Sequence, residues 1–405
     1  MLYILRFFSP YFGPLRMLGS HLVLMCLGSL VAALVVWLFL PKLTNKMPLD
    51  RGKELVKDSE AAKGKPTGAG KWMIILMLPV LFLVLPLSST GISSGSSLAQ
   101  LSASVTEILK SPSEWFKLVN QQWGVVLCLV LAMMTGFADD SAAVPWGRVK
   151  KGLWDAVIAL LTTFFLCMGK DTELWWPITK TITSCPPWLF IPAGAALLWF
   201  SMNATNCSDG VDGLAGSLTL ISLYALTAFL YGVVGHEIIA KYLLVPHHPE
   251  GARWAILTAT VAGGIAGYLW HNAAPSLLLM GDAGSRPLGL LVGVAVLVSG
   301  NPFLILVVSF VVLLNGGTGL LKILLLKFCR FLGFDIRTPE ALKASGDQTP
   351  VKQHLLVRLL NKIRFPLHDH FRQNKKWTGS QVLMRFVLLQ GFFMPILFLI
   401  IVKVR

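Results

Sequence analysis

Charge is what this sequence has least of. Only 14% of its 405 residues are Asp, Glu, Lys or Arg, against about 25% in a soluble domain. Acids are the scarcer sign, 20 against 35 Lys and Arg. That shortage excludes an ordinary water-soluble domain. Cysteine is sparse too: Cys26, Cys128, Cys167, Cys185, Cys207 and Cys329 include no CxxC pair, which argues against a disulfide framework or a zinc site. No ten-residue stretches alternate apolar and polar residues, so a transmembrane barrel is excluded. GKPTGAGK (Gly64 to Lys71) lacks the hydroxyl of a phosphate-binding loop, because Trp72 follows its Lys. No small-residue cleavage site follows the first apolar run, which is expected to be a retained helix and not a signal peptide. Nor is there the internal repeat common in transporters.

What is present is apolar sequence, 55% of the chain, with a mean hydropathy of +0.67. Ten apolar runs fall near 20–40, 72–88, 122–138, 153–169, 187–202, 213–234, 254–271, 286–299, 302–327 and 381–403. They predict an all-α polytopic membrane protein of about ten transmembrane helices, a single integral-membrane domain over residues 1–405. The fifth and eighth runs are short for a span and call for tilting or shielding by neighbours.

The net charge of +15 does not point to nucleic acid. The Lys and Arg lie in loops between the runs, as at an anionic lipid surface, so membrane lipids are the expected partners. Loops 41–71 and 328–380 are the richest, and Arg148, Lys150 and Lys151 mark a third. These are loops one, nine and three. Odd loops share one side, which the positive-inside rule makes cytoplasmic, with both termini outside. His236, His247 and His248 fall in an outer loop and read as solvated. Pro350 to Phe365 has apolar residues at helical spacing interleaved with Lys352, Arg358 and Lys362, which predicts an amphipathic helix on the membrane surface or against the bundle.

The scarce acids are concentrated. NATNCSDGVDG (Asn203 to Gly213) sits between apolar runs, with Asn203, Asn206, Asp209 and Asp212 spaced by threes, close to one face of a helix. Acids at a bilayer edge are costly and usually functional. Carboxylates and carboxamides together suit a hydrated cation and a phosphorylated substrate. GFADD ends the third run with Asp139 and Asp140. Two carboxylates at a helix C-terminus are unfavourable by roughly 0.3–1 kcal/mol each, so a cation or a Lys is expected beside them. GDAGS puts Asp282 in a glycine-flanked turn at a helix start, where backbone N–H groups can approach phosphate. FPLHDHF holds His368, Asp369 and His370, too few ligands for a metal site but fit to bind phosphate or orient a carboxylate. With GKPTGAGK these motifs all fall in odd loops, and one composite site on the cytoplasmic face is the economical reading.

This set resembles the phospho-N-acetylmuramoyl-pentapeptide transferase family, within the polyprenyl-phosphate N-acetylhexosamine-1-phosphate transferases. NATNCSDGVDGLAG is similar to that family's Asn-x-x-Asn-Leu-Thr-Asp-Gly-Leu-Asp-Gly-Leu-Ala signature. GFADD resembles its Asp-Asp pair, LWHNAAPSLLLMGDAGSRPLG its Trp-x-Asn…Met-Gly-Asp-x-Gly-Ser block, FPLHDHF its Pro-Leu-His-His-His-Phe, and KPTGAG its Thr-Pro-Thr-Met-Gly-Gly. The sequence departs at Ala143, where the family has Lys, at Leu279, where it has an aromatic that stacks on uracil, at Lys322, where it has Gln, at Asp369, the middle His, and at Ala62, an upstream Lys.

The resemblance implies transfer of phospho-MurNAc-pentapeptide from UDP to undecaprenyl phosphate in the bacterial cytoplasmic (inner) membrane. The products are lipid I and UMP, a step of peptidoglycan synthesis on which cell shape and division depend. It implies Mg²⁺ as cofactor and a cytoplasmic-face active-site cleft. It assigns Asp139, Asp140 and Asp282 to catalysis and to the metal. To UDP-MurNAc-pentapeptide and the lipid phosphate it assigns Thr67, Asn203, Asn206, Asp209, Asp212, Lys322, His368, Asp369 and His370. A homodimer is compatible with it. Direct attack by the lipid phosphate, with Asp139 as base, is favoured over an aspartyl-phosphate intermediate. Three alternatives stay open: a UDP-GlcNAc or related donor, a transporter, and a non-catalytic lipid-binding homologue.

Overall fold

A computed structural model describes residues 2–5, 8–50, 63–85, 121–168, 171–177, 179–336 and 355–403. The Lys and Arg counted at 51–57 and 337–352, Ala62 and the first residues of the expected surface helix lie outside them.

Within the described residues, each of the ten apolar runs forms helix. The elements are α1 (His21–Phe39), α2 (Ala69–Val84), α3 (Gln121–Asp140), α4 (Arg148–Cys167), α5 (Pro187–Ser208), α6 (Leu214–Phe229, continued by a π-helical turn Leu230–Val234) and the short α7 (Glu237–Leu243). Then follow α8 (Gly251–Asn272), α9 (Asp282–Val298), the composite α10 described below, α11 (Leu355–Lys362), α12 (Leu367–Asn374) and α13 (Gly379–Lys403). Six helices among the described residues are long and apolar enough to cross a membrane: those containing α1, α3, α5, α6, the later part of α10, and α13. α2 and α9 are shorter, 16 and 17 residues. α4 opens on Arg-Val-Lys-Lys, and α8 is rich in Gly, Ala and Thr. The chain is a polytopic membrane protein.

α8 and α9 are buried on almost all sides. α1, α4 and α13 instead turn large apolar side chains outward, such as Leu30, Leu160 and Leu388, the surface that hydrocarbon accepts. The inner helices pack closely because they are small where they touch. A Cβ on Gly263 or Gly267 of α8 would overlap the α1 backbone at Ser29 or Ala33. Backbones approach at such small-residue stripes.

Two features depart from the all-α reading. The loop expected at 170–186 contains an antiparallel hairpin, β1 (Thr172–Trp176) with β2 (Thr181–Cys185). Thr, Ile and Trp favour a pleated surface, and Trp175 anchors the hairpin by full burial and by donating its backbone N–H to Gly300 O at 2.7 Å. The ninth run is also not one continuous helix. α10 is made of Ile305–Val308, Phe310–Val312, a π-helical turn Leu313–Gly317 and Thr318–Phe331.

The break at Ser309 is repaired from outside. Gln390 on α13, 1% exposed, donates to Val307 O at 3.1 Å and Val308 O at 3.0 Å, and accepts from Val311 N at 2.9 Å. Gln390→Leu leaves Val307 O and Val311 N buried without these bonds, while Val308 O keeps the Ser222 hydroxyl. We expect a loss of about 3 kcal/mol, since each orphaned group costs about 1–3 kcal/mol. A melting temperature in detergent equal to the wild type would refute that role.

Candidate functional site

Three close approaches of glycine assemble the site. A Cβ on Gly136 of α3 would overlap the backbone of Asp282 and Ala283 at the start of α9, and one on Gly70 of α2 would overlap Gly284. The third is Gly281, whose φ of +71° suits glycine and where a Cβ would strike the Asp140 carboxylate. The C-terminus of α3 thus meets the N-terminus of α9. The KPTGAG segment is bonded alongside: Leu279 N donates to Pro66 O at 2.8 Å, and Ala69 N and Gly70 N donate to Leu279 O and Met280 O at 3.0 Å.

This meeting explains how GFADD tolerates two adjacent carboxylates. Asp140 caps α9, its Oδ1 and Oδ2 accepting the backbone N–H groups of Asp282 and Ala283, each at 3.0 Å. The helix start expected to offer those N–H groups to phosphate offers them to Asp140 instead. Asp139 points the other way. It is 6% exposed, accepts from Trp146 N at 2.7 Å through Oδ1 and is ion-paired with Lys151 through Oδ2. Lys151 also reaches Asp282 Oδ2 at 3.1 Å. Ala143 supplies no cation near the pair, and Lys151, from the first turn of α4, supplies one.

Lys151 and Asp282 both precede the apolar stretches of their helices. Burial would raise the Asp282 carboxyl, but Arg286 and Lys151 more than offset it and hold it at about 2. Burial pulls the Lys151 ammonium down, and Asp282 with Asp139 brings it, on balance, above its ordinary value. Both groups are therefore charged at neutral pH.

A cavity of about 420 Å³ opens beside this junction. Of the residues expected in the site it brings together Thr67, Asp140, Asn206, Asp209, Asp212, Asp282, His368 and Asp369, and adds Asp50, Asn272 and Arg372. Asn206 Oδ1 accepts from Ser285 Oγ at 3.1 Å, tying α5 to α9. Asp212 accepts from Ser276 N at 3.2 Å and lies 3.7 Å from Lys65. Asn272 shapes the turn after Asp212 by accepting from Gly213 N at 2.7 Å. His368 is 2% exposed and is held by Asn315 Oδ1, 2.9 Å from its backbone N and 3.1 Å from Nδ1. Its Nε2 lies 3.5 Å from Asp369 Oδ1.

Four expected residues do not line this cavity. Asp139 shares Lys151 with Asp282. Asn203 faces α4, its amide donating to Asp155 Oδ2 at 3.3 Å and to Trp199 O at 2.9 Å. The spacing by threes holds only until α5 ends at Ser208, so Asn203 and Asp212 do not share a helix face. Lys322 donates to Ile363 O at 2.9 Å beside the Phe365 ring, fastening α10 to the segment before α12. His370 accepts through Nδ1 from Arg364 N at 3.3 Å.

The three carboxylates expected to share a metal do not converge, and among the described residues no group of three or more His, Cys, Asp or Glu is arranged to hold one. Asp140 bonds the start of α9, Asp139 serves Trp146 and Lys151, and Asp282 pairs with Lys151 and Arg286 through Oδ2. The donor set still fits Mg²⁺, which keeps several waters and takes one or two carboxylates plus substrate phosphates. Asp140 and Asp282 are the two of the three that line the cavity.

Sequence reasoning missed Asp155 and Arg286. Each is the sole charged residue of its apolar run, 153–169 and 286–299. A lone acid in one run and a lone base in another is a pairing signal.

Residues 122–300 match the family described as Glycosyl transferase family 4. Over 395 residues the chain is 39% identical to the phospho-N-acetylmuramoyl-pentapeptide-transferase of Treponema pallidum (strain Nichols), covering 96% of this chain and 93% of that protein. It is 28% identical over 292 residues to the protein of that name from Campylobacter lari, covering 69% and 73%. With the one from Methylacidiphilum infernorum it shares 25% over 415 residues, covering 97% of each.

Proposed function

The chain belongs to the phospho-N-acetylmuramoyl-pentapeptide transferase family, and on that footing we propose that it moves phospho-MurNAc-pentapeptide from UDP to undecaprenyl phosphate, releasing UMP and leaving lipid I in the membrane. The observation that carries this reading is the cavity where α3 meets α9. Six aspartates and one arginine line it, so a diphosphate would be repelled there unless a cation came with it. Mg²⁺ held by Asp282 would neutralise that diphosphate. The positive-inside argument supports a cytoplasmic face for the cavity and outer termini.

The reaction forms a bond from a lipid phosphate oxygen to the β-phosphorus and breaks the bond from that phosphorus to the oxygen kept by UMP. A phosphate monoester has its second pKa at about 6, so the nucleophile is already mostly dianionic at neutral pH. A base has little to do, and positioning and charge stabilisation dominate. Asp139 is better suited to holding Lys151 than to taking a proton, since its oxygens already serve Trp146 and Lys151. Asn206, Asp209 and Asp212 would meet hydroxyl and amide donors of the nucleotide, and His368 and Arg372 would meet phosphate oxygens. Asp369, where the family has His, favours no other donor by itself.

The test is UMP release by the purified protein with undecaprenyl phosphate and Mg²⁺, run against UDP-MurNAc-pentapeptide and UDP-GlcNAc. We expect turnover with the first donor. Turnover with UDP-GlcNAc alone would reassign the substrate, and none with either would leave a lipid-binding homologue.

A further inference from the structure

Arg286 lies one helical turn after Asp282 on α9, and it is 0% exposed. A guanidinium without water is expensive unless its N–H groups are paired. One terminal nitrogen donates to Asp282 Oδ2 at 2.8 Å, the other to Asp155 Oδ1 at 3.4 Å, and Asp139 Oδ2 lies 3.9 Å away. Its Nε has no partner among the described residues. Asp155 is equally buried, and its other oxygen takes the Asn203 amide at 3.3 Å. A chain of polar contacts therefore runs from Asn203 on α5, through Asp155 on α4 and Arg286 on α9, to the carboxylate at the cavity wall.

We propose that Arg286, anchored by Asp155, is a positioning residue that fixes the Asp282 carboxylate for the cation and the diphosphate. This rests on the transferase reading above. Two arguments support it over mere packing. First, a buried ion pair is often no more stable than apolar side chains of the same volume, so stability alone does not call for it at a carboxylate that lines the cavity. Second, Lys151, the other cation on Asp282 Oδ2, has a side chain 27% exposed, against 1% for Arg286. The Lys151 ammonium, a compact point charge shared between Asp139 and Asp282, neutralises Asp282 without a fixed fork geometry. A rigid planar fork gripped at its far end by Asp155 does orient it.

The charge balance makes the idea testable. Asp139, Asp140, Asp155 and Asp282 against Lys151 and Arg286 leave a formal charge of −2, four acids less two bases. Replacing Asp155 and Arg286 together leaves that balance unchanged and removes the fork with its anchor, while the Asn203 amide keeps Trp199 O. For Asp155→Leu/Arg286→Met we expect a wild-type melting temperature. We also expect Mn²⁺ affinity, read by electron paramagnetic resonance without substrate, to fall at least about tenfold, and kcat to fall at least about tenfold with donor KM unchanged. Arg286→Lys keeps the buried charge and loses the fork, so it guards against a double variant that does not fold. Its Mn²⁺ affinity and kcat should fall about fivefold or more. Wild-type kcat and Mn²⁺ affinity in either folded variant would overturn the proposal, as would a wild-type protein that binds no Mn²⁺. A wild type that binds Mn²⁺ but releases no UMP would instead sink the transferase reading, and the binding measurements alone would then decide the role of Arg286.

Discussion

Asp282→Asn is expected to cut UMP release by roughly 100- to 1000-fold, the range seen when one preorganised electrostatic group is lost from an active site. It should do so in a folded protein. Lys151 retains Asp139 as its partner, and Arg286 retains Asp155. Asn keeps the shape of the side chain and leaves the cap on α9 intact, because that cap is made by Asp140 on the backbone N–H groups of Asp282 and Ala283. What is lost is one negative charge at the wall of an acidic cavity. Mn²⁺ binding should weaken alongside turnover. A variant that turns over like the wild type would remove Asp282 from the metal and with it the main support for the site.

Gly136→Val should act through assembly. The added Cβ would sit on the backbone of Asp282 and Ala283, and backbone cannot rotate aside as a side chain can. Overpacking typically costs 1–3 kcal/mol, and more where no side chain can yield; here roughly 3 kcal/mol or more is expected. α3 and α9 would separate, the Asp140 cap would be lost, and with it the register of Asp139 and Asp282 around Lys151. The measurement is size-exclusion profile and melting temperature in detergent. Gly391→Ala on α13, where nothing lies within 4 Å of the new Cβ, is the control and should be neutral. A folded, active Gly136→Val would show that the α3–α9 junction does not depend on close backbone contact.

Much of the molecule was readable from the sequence because hydrophobicity is local. A run such as 122–138 declares itself residue by residue, and among the described residues all ten runs are helical. The motif residues were readable for a related reason: acids are so rare here that GFADD, NATNCSDGVDG and GDAGS stand out against apolar flanks. Their individual partners were not readable. Asp140 reads as a ligand and lines the cavity, but it also caps a helix, because its donors come from residues more than a hundred positions later in the chain. Asn203 looked like a substrate contact and turned to α4, where a buried carboxylate needed a donor. The break in α10 is stitched by Gln390, about eighty residues on.

The sequence by itself determined that this is a membrane protein of apolar helices, with its scarce acids gathered in a few motifs at their ends. That much follows from composition and spacing along the chain. Only the tertiary structure decided which carboxylate caps, which pairs with Lys151 or Arg286, and which faces the cavity. Those outcomes depend on small residues such as Gly70 and Gly136 letting helix ends touch, and a contact between distant helix ends leaves no periodic trace in the sequence.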